Sequence, residues 1–363
     1  MKRRSAGLLT LLLVLGLLGC AGQMPQARPE TVPETGTESV GESFETARTE
    51  AAETETVGET GELFLTASGI TFSLVGESED VYAGSVPREK ITWQSDDEEV
   101  ARIQDGVVTA VGVGQTTVRA AWGDSFLSCQ VNCLAEDRET LSTLEKDVLH
   151  SPKRNPPEIT EADPFFADAV FVGDSITYSL LQAETKSGSL GHPQFLCRGS
   201  ASVNGFVRYF HNIYYQGKEA KLEDAVAATG AKKVFFMLGT NDVGYQSEEE
   251  ILDNWDTLIG RILEKSPDTE IYLQSCFPEW TDDTESNWLN EKLAPYNEAL
   301  KAYAQERGYH YVDVAAYIVD HTGRMATVYS LDEWIHLNPE GCEVWMQALN
   351  AYAYQREIGG EET

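Results

Sequence analysis

Two periodicities divide the chain. Between about residues 62 and 134, short runs alternate apolar and polar positions, with turn residues between the runs. Ile91-Thr92-Trp93-Gln94-Ser95, Val100-Ala101-Arg102-Ile103, Val107-Val108-Thr109-Ala110-Val111 and Thr116-Thr117-Val118-Arg119-Ala120 predict strands. Asp105-Gly106 predicts a hairpin joining two of them. Short strands at this spacing predict a small all-β sandwich. After Asp163 the pattern changes. Apolar runs at 169–172, 195–197, 234–238, 271–273 and 311–314 are separated by amphipathic stretches such as 247–265 and 289–307. Buried strands with room for crossover helices between them predict a five-stranded parallel sheet covered on both faces, spanning residues 165–358. Ligands of such sheets bind beyond the C-terminal ends of the strands, so polar motifs that follow the apolar runs are the ones to examine.

The remaining segments lack either periodicity. Residues 135–164 carry Ser151-Pro152 and Asn155-Pro156-Pro157, which predict a linker, with a short helix over 141–149. Residues 21–61 are rich in Glu, Thr, Gly, Pro and Ala and hold almost no large apolar side chain. Such a tract cannot offset its chain entropy by burial, so it is expected to be a disordered, extended acidic stalk. The last residues, 359–363, are expected to form a disordered tail. At the start, Lys2, Arg3 and Arg4 precede an apolar run over 6–18. That run is short for a membrane span and suits an export signal over residues 1–20.

Charge narrows the class of partner. The 363 residues carry a formal net charge of -32. A surface of that sign disfavours nucleic acid, whose phosphates require Lys and Arg, and offers no attraction to anionic headgroups. Cys129 and Cys133 lie four apart in a predicted strand, roughly 13 Å between Cα atoms and too far for a disulfide. They are read as buried apolar residues. No cysteine shows metal-ligand spacing.

Three polar motifs follow the apolar runs. The first run enters Gly173-Asp174-Ser175-Ile176-Thr177, which places a hydroxyl and a backbone N–H at the mouth of a sheet. The third ends Met237-Leu238-Gly239-Thr240-Asn241-Asp242, where the Asn241 amide can donate to a developing oxyanion. Asp242 reads as a local Asx-type turn residue. Near the C-terminus stands Asp332-Glu333-Trp334-Ile335-His336-Leu337-Asn338-Pro339-Glu340-Gly341. A carboxylate three or four positions before a histidine can hold its Nδ1 and support the imidazolium.

These motifs, in this order, resemble the SGNH/GDSL hydrolase family over roughly residues 165–358. Gly173-Asp174-Ser175 resembles its first block, Gly239-Thr240-Asn241-Asp242 its third, and His336 with Pro339 and Gly341 its fifth. The resemblance implies a flavodoxin-like three-layer α/β/α fold and acyl transfer with Ser175 as nucleophile and His336 as general base. The family's third member stands three residues before its histidine, which points to Glu333, with Asp332 as the alternative. The oxyanion hole would comprise the N–H of Ser175, the Asn241 amide and an N–H of the second block. That block is blurred: Gly199 is the candidate, and the alignment also allows Ser202 or Gly205. The mechanism calls for no metal or cofactor.

Two further resemblances set the context. Leu17-Leu18-Gly19-Cys20-Ala21 resembles the lipobox of bacterial lipoproteins, in which the cysteine takes a diacylglyceryl group and becomes the mature N-terminus. It implies export and anchoring at Cys20 on the outer face of a bacterial cytoplasmic membrane, two acyl chains being what stable anchoring needs. Ile91-Thr92-Trp93 with Ser95, Val100-Ala101, Gly106-Val107-Val108-Thr109-Ala110, Gly114 and Thr116 resemble the bacterial immunoglobulin-like group 2 domain over residues 62–134. That implies a spacer, with carbohydrate or cell-wall contact as the sharper alternative. Tyr209, Phe210, Tyr214, Tyr215, Trp280 and Trp288 are expected near the cleft mouth, where rings either stack on sugars or pack loops. The substrate expected is an ester, chiefly an acylated glycan. Competing readings are an inactive surface adhesin, an acyltransferase, or a lysophospholipase of the same fold.

Overall fold

The computed structural model describes residues 61–159, 164–281 and 287–359. The export signal, Cys20, the acidic tract before Gly61 and the tail from residue 360 lie outside the described residues. The first part of the described chain is all-β. Strands β1 (Gly69–Leu74), β2 (Ser78–Asp80), β3 (Thr92–Ser95), β4 (Ala101–Gln104), β5 (Val107–Ala110), β6 (Gly114–Trp122) and β7 (Ser125–Ala135) follow one another closely. They are joined by β8 (Arg154–Asn155) to form two sheets, ordered β3-β6-β7-β1-β8 and β2-β5-β4. The alternating residues Ile70, Phe72, Val81, Val108, Val118, Val131 and both Cys129 and Cys133 fill their shared core. The two cysteines are free and buried, as the strand spacing requires.

Residues 135–159 correct the linker expectation. They contain helices α1 (Arg138–Ser142) and α2 (Lys146–Leu149), and β8 pairs antiparallel with β1. The prolines there end elements without loosening the segment. Contacts continue into the second domain: the Tyr317 hydroxyl donates to Thr66 O at 2.8 Å, Lys153 N–H donates to Val319 O at 3.1 Å, and Ser73 Oγ bonds His321 Nδ1 at 2.9 Å.

The second domain alternates strand and helix. Its order is β9 (Ala169–Gly173), α3 (Ser175–Ser187), β10 (Gln194–Cys197), α4 (Val203–Val207), the hairpin β11 (Ile213–Tyr215) and β12 (Lys218–Ala220), and α5 (Leu222–Thr229). Then come β13 (Lys233–Met237), α6 (Glu248–Lys265), β14 (Glu270–Gln274), α7 (Asn290–Arg307), β15 (His310–Val312) and α8 (Pro339–Gly359). The sheet runs β10-β9-β13-β14-β15, every pair parallel. One face is covered by α3 against α8, the other by α6 against α4, α5 and α7. The central strands β9, β13 and β14 are buried on both faces, which is why they read as unbroken apolar runs, while the edge strands β10 and β15 are partly exposed. Register is fixed by a ladder of rings across all five strands. Phe195, Phe171, Phe235, Tyr272 and His310 occupy paired positions and stack at 5.3, 4.8, 4.3 and 4.4 Å between centroids. A slip of one residue would turn each ring to the opposite face, so the ladder holds all five C-terminal ends level.

Candidate active site

The site grows from those C-terminal ends. β9 closes with Gly173, where an added Cβ would lie 1.9 Å from Thr177 Oγ1 and 2.8 Å from Met237 O. Only glycine lets β9, β13 and the first turn of α3 approach so closely. Asp174 then caps α3: its Oδ1 accepts the Ile176 N–H at 2.8 Å. Ser175 is the first residue of the helix, half-buried, with its N–H in the orphaned first turn.

His336 arrives from the segment before α8. Its Nε2 lies 2.9 Å from Ser175 Oγ, and its Nδ1 lies 2.5 Å from Asp332 Oδ2. The carboxylate on His336 is therefore Asp332 and not Glu333, which corrects the reading from spacing. The reason is local backbone. Asp332 Oδ1 accepts the N–H groups of Trp334 at 3.1 Å and His336 at 3.2 Å, while Leu331 N–H donates to His336 O at 2.9 Å. This closed turn puts Glu333 in the left-handed region, φ 56°, exposed to solvent. Partial burial raises the Asp332 carboxyl, but the hydrogen bonds from the His336 ring and backbone outweigh it and hold the group below its ordinary value.

Asn241 comes from the loop after β13. Gly239 has φ 133°, and a Cβ there would fall 2.2 Å from the Tyr296 ring. Tyr296 in turn donates to Leu238 O at 2.9 Å and accepts from Trp255 Nε1 at 3.0 Å, so the loop is clamped from below. Asn241 Nδ2 donates to Asp174 Oδ2 at 2.7 Å and to Ala201 O at 3.0 Å. Both amide hydrogens are thus engaged in the resting site, one by the residue beside Ser175 and one by the loop after β10. Burial pushes the Asp174 carboxyl up to about 6 against the lowering effect of its hydrogen bonds.

Asp242 does more than close a local turn. Its two oxygens accept the N–H groups of Val203 at 2.9 Å and Asn204 at 3.0 Å, and so cap α4 from across the sheet. Burial raises this carboxyl too, to about 6. The loop it steadies contains the three candidates for the last oxyanion donor. Gly199 lies at the exposed tip of a turn closed by Ala201 N–H to Arg198 O at 3.1 Å. Ser202 N–H donates to His211 Nδ1 at 3.2 Å, and Gly205 N–H to Ser202 Oγ at 3.0 Å. It is Ala201 that this loop brings to Asn241.

The aromatic residues divide. Tyr209 sits under the cations of Lys221 and Arg261, and the Tyr215 hydroxyl donates to Gln194. Tyr215 thus packs the hairpin, whereas Tyr209 is partly exposed and its hydroxyl donates to Glu223 Oε1 at 3.2 Å. Phe210, Tyr214 and Trp288 are exposed, the last against Gly244. Trp280 is partly buried, its indole N–H donating to Thr327 Oγ1 at 3.1 Å. Trp334, which no spacing singled out, is half-exposed between Asp332 and His336.

Chemically, the arrangement is a hydroxyl, an imidazole that can remove its proton, and a carboxylate that fixes the imidazole, with an amide and helix N–H groups alongside. Residues 171–344 match the model of the GDSL-like Lipase/Acylhydrolase family. No curated protein matches the chain. Among solved structures, a GDSL-like lipase from Bacteroides thetaiotaomicron VPI-5482 shows 17% identity and a TM-score of 0.43, covering 54% of this chain and 92% of that one. A carbohydrate esterase family 3 protein from Talaromyces cellulolyticus shows 16% identity and a TM-score of 0.38, covering 52% and 96%. An acetylxylan esterase from Geobacillus stearothermophilus, solved as a catalytic mutant, shows 20% and 0.35, covering 53% and 94%.

Proposed function

We propose, starting from the serine ester hydrolase domain that residues 171–344 match, that the chain is an exported, lipid-anchored esterase removing short acyl groups from a surface polysaccharide. The observation that carries the reading is the continuous path from Ser175 Oγ through His336 to Asp332, at 2.9 and 2.5 Å. His336 Nε2 takes the Ser175 proton as Oγ attacks the ester carbonyl. The tetrahedral oxyanion forms beside the Ser175 N–H and the Asn241 amide, which turns one hydrogen from its resting acceptor toward the new charge. Collapse releases the alcohol, protonated by His336, and leaves an acyl ester on Ser175. Water, deprotonated by His336, then frees the acid and restores the serine.

Substrate follows from surface and place. A net charge of -32 repels anionic polymers and lipids, which favours a neutral acylated glycan. Anchoring through Cys20, export to the outer face of the cytoplasmic membrane, and a spacer role for the immunoglobulin-like β domain belong to the same proposal, on the sequence features of residues 17–21 and 62–134. The test is full-length protein against a fluorophosphonate probe and an O-acetylated neutral polysaccharide, beside Ser175→Ala. Labelling and acetate release confined to the native serine support the reading; labelling of both proteins, or of neither, refutes it. Transfer of the acyl group to an added alcohol faster than to water would make it a transferase. Mass spectrometry of the mature N-terminus tests the anchor: an unmodified terminus beyond Cys20 removes it.

A further inference from the structure

Glu279 follows β14 and is only 4% exposed. Its Oε2 accepts the Trp334 indole N–H at 3.0 Å, whereas Oε1 is buried with no hydrogen-bond partner among the described residues. The backbone around it is fixed. Its N–H donates to Asn290 Oδ1 at 2.7 Å, and its carbonyl accepts Asn290 Nδ2 at 3.0 Å and the Met325 N–H at 3.2 Å. The next N–H, that of Trp280, donates to Trp334 O at 2.6 Å. Trp334 is therefore gripped at its carbonyl and at its ring by one short segment, and its own N–H closes onto Asp332 Oδ1.

A carboxylate with a free buried oxygen carries a desolvation cost. Burial accordingly raises the Glu279 carboxyl, with hydrogen bonds from the Trp334 indole and the Leu289 backbone and the charge of nearby Arg324 opposing. Arg324 is itself buried, donates to Thr281 O at 2.9 Å, and keeps an Nε with no partner among the described residues. Packing alone would be served more cheaply by a neutral residue. Among the described residues, the side-chain donor that this carboxylate engages belongs to the residue between Asp332 and His336. We infer that Glu279 is a positioning residue, which acts through the Trp334 indole to hold the Asp332–His336 turn at hydrogen-bond distance from Ser175. The inference rests on the esterase reading for its kinetic consequence, although its geometric consequence stands apart.

The test uses full-length protein, with p-nitrophenyl acetate kinetics, thermal melting and the low-field proton resonance of His336 Nδ1–H. Glu279→Ala is expected to lower kcat at least about tenfold with KM changed by less than about twofold, and to broaden the low-field resonance through solvent exchange. Glu279→Gln is expected to return to within about threefold, because its amide oxygen still accepts the indole N–H. Trp334→Phe should reproduce the loss, and Glu279→Ala/Trp334→Phe should be no worse than either single change. Should Glu279→Ala fail to fold, Trp334→Phe carries the same readouts. A folded Glu279→Ala with native kcat and an unaltered resonance overturns the inference, as does full additivity of the two substitutions. A native protein inert to esters and to fluorophosphonate instead defeats the esterase reading, and the resonance still decides the positioning role.

Discussion

Replacing Asp332 by Asn tests the centre of the mechanism. Asp332 Oδ2 sits 2.5 Å from His336 Nδ1, and Oδ1 holds the turn through two backbone N–H groups. Asn keeps the shape and one acceptor but removes the charge that the imidazolium meets in the transition state. Two unit charges about 4 Å apart attract by about 4 kcal/mol at an effective dielectric of about 20. The two side chains are 35% and 26% exposed, so water screens part of this. An attenuated value of about 2.7 kcal/mol corresponds to about a hundredfold in kcat. Presenting the amide NH2 to Nδ1 would also favour the wrong tautomer and deepen the loss. Glu333→Gln, at an exposed position outside the Ser175–His336–Asp332 path, is expected to change kcat by less than about threefold. The assay is steady-state hydrolysis of p-nitrophenyl acetate, with the active fraction counted by fluorophosphonate labelling. A greater loss for Glu333→Gln than for Asp332→Asn, or near-native turnover of Asp332→Asn, refutes the reasoning.

Two further outcomes are expected. Asn241→Ala removes a donor to the oxyanion and should cost about 2.7–4 kcal/mol of barrier, a drop of about 100- to 1000-fold in kcat; native kcat in the folded variant would exclude the amide from that role. Burial raises Asp242 to about 6 from an ordinary 3.8, so the folded protein holds this proton more tightly than the unfolded chain. Its contribution to stability is full below about pH 4 and is lost as the pH rises through 6. Asp242→Asn should accordingly show a shallower fall in melting temperature between pH 4 and 7 than the native protein, and parallel slopes in thermal denaturation would contradict this.

What could be read from the chain was whatever depends on neighbours in sequence. The central strands β9, β13 and β14 are legible because they are buried on both faces, the partly exposed edge strands β10 and β15 because each keeps a short apolar run, and Ser175, Asn241 and His336 because each lies in a short motif at a strand or helix end. Asp332 is the contrary case. Spacing alone favours Glu333, but spacing carries no sign of φ, and the left-handed backbone at Glu333 is what returns Asp332 to the histidine. The role of Asp242 is hidden for a different reason: its partners Val203 and Asn204 are 39 and 38 residues away. Glu279 carries no motif, and its acceptor role exists only because a turn 55 residues later brings Trp334 to it.

The segment read as a linker has a consequence for the site. His150, at the end of α2, bonds Asp320 Oδ2 through Nδ1 at 2.6 Å, and its carbonyl accepts the Thr327 N–H at 3.1 Å. Asp320 is fully buried, and its other oxygen accepts N–H groups of Thr322 at 2.7 Å and Arg324 at 3.0 Å. Thr327 Oγ1 takes the Trp280 indole, and the Trp280 N–H grips Trp334 beside the histidine. Removing His150 would leave a buried carboxylate oxygen without its donor, a change costing about 1–3 kcal/mol or more for a charged group. The matched residues 171–344 therefore do not contain everything that holds the Asp332–His336 turn. Part of that support is supplied by a segment that packs between the β domain and the hydrolase, which is why a fragment cut at the start of the hydrolase domain is a different molecule from the whole chain.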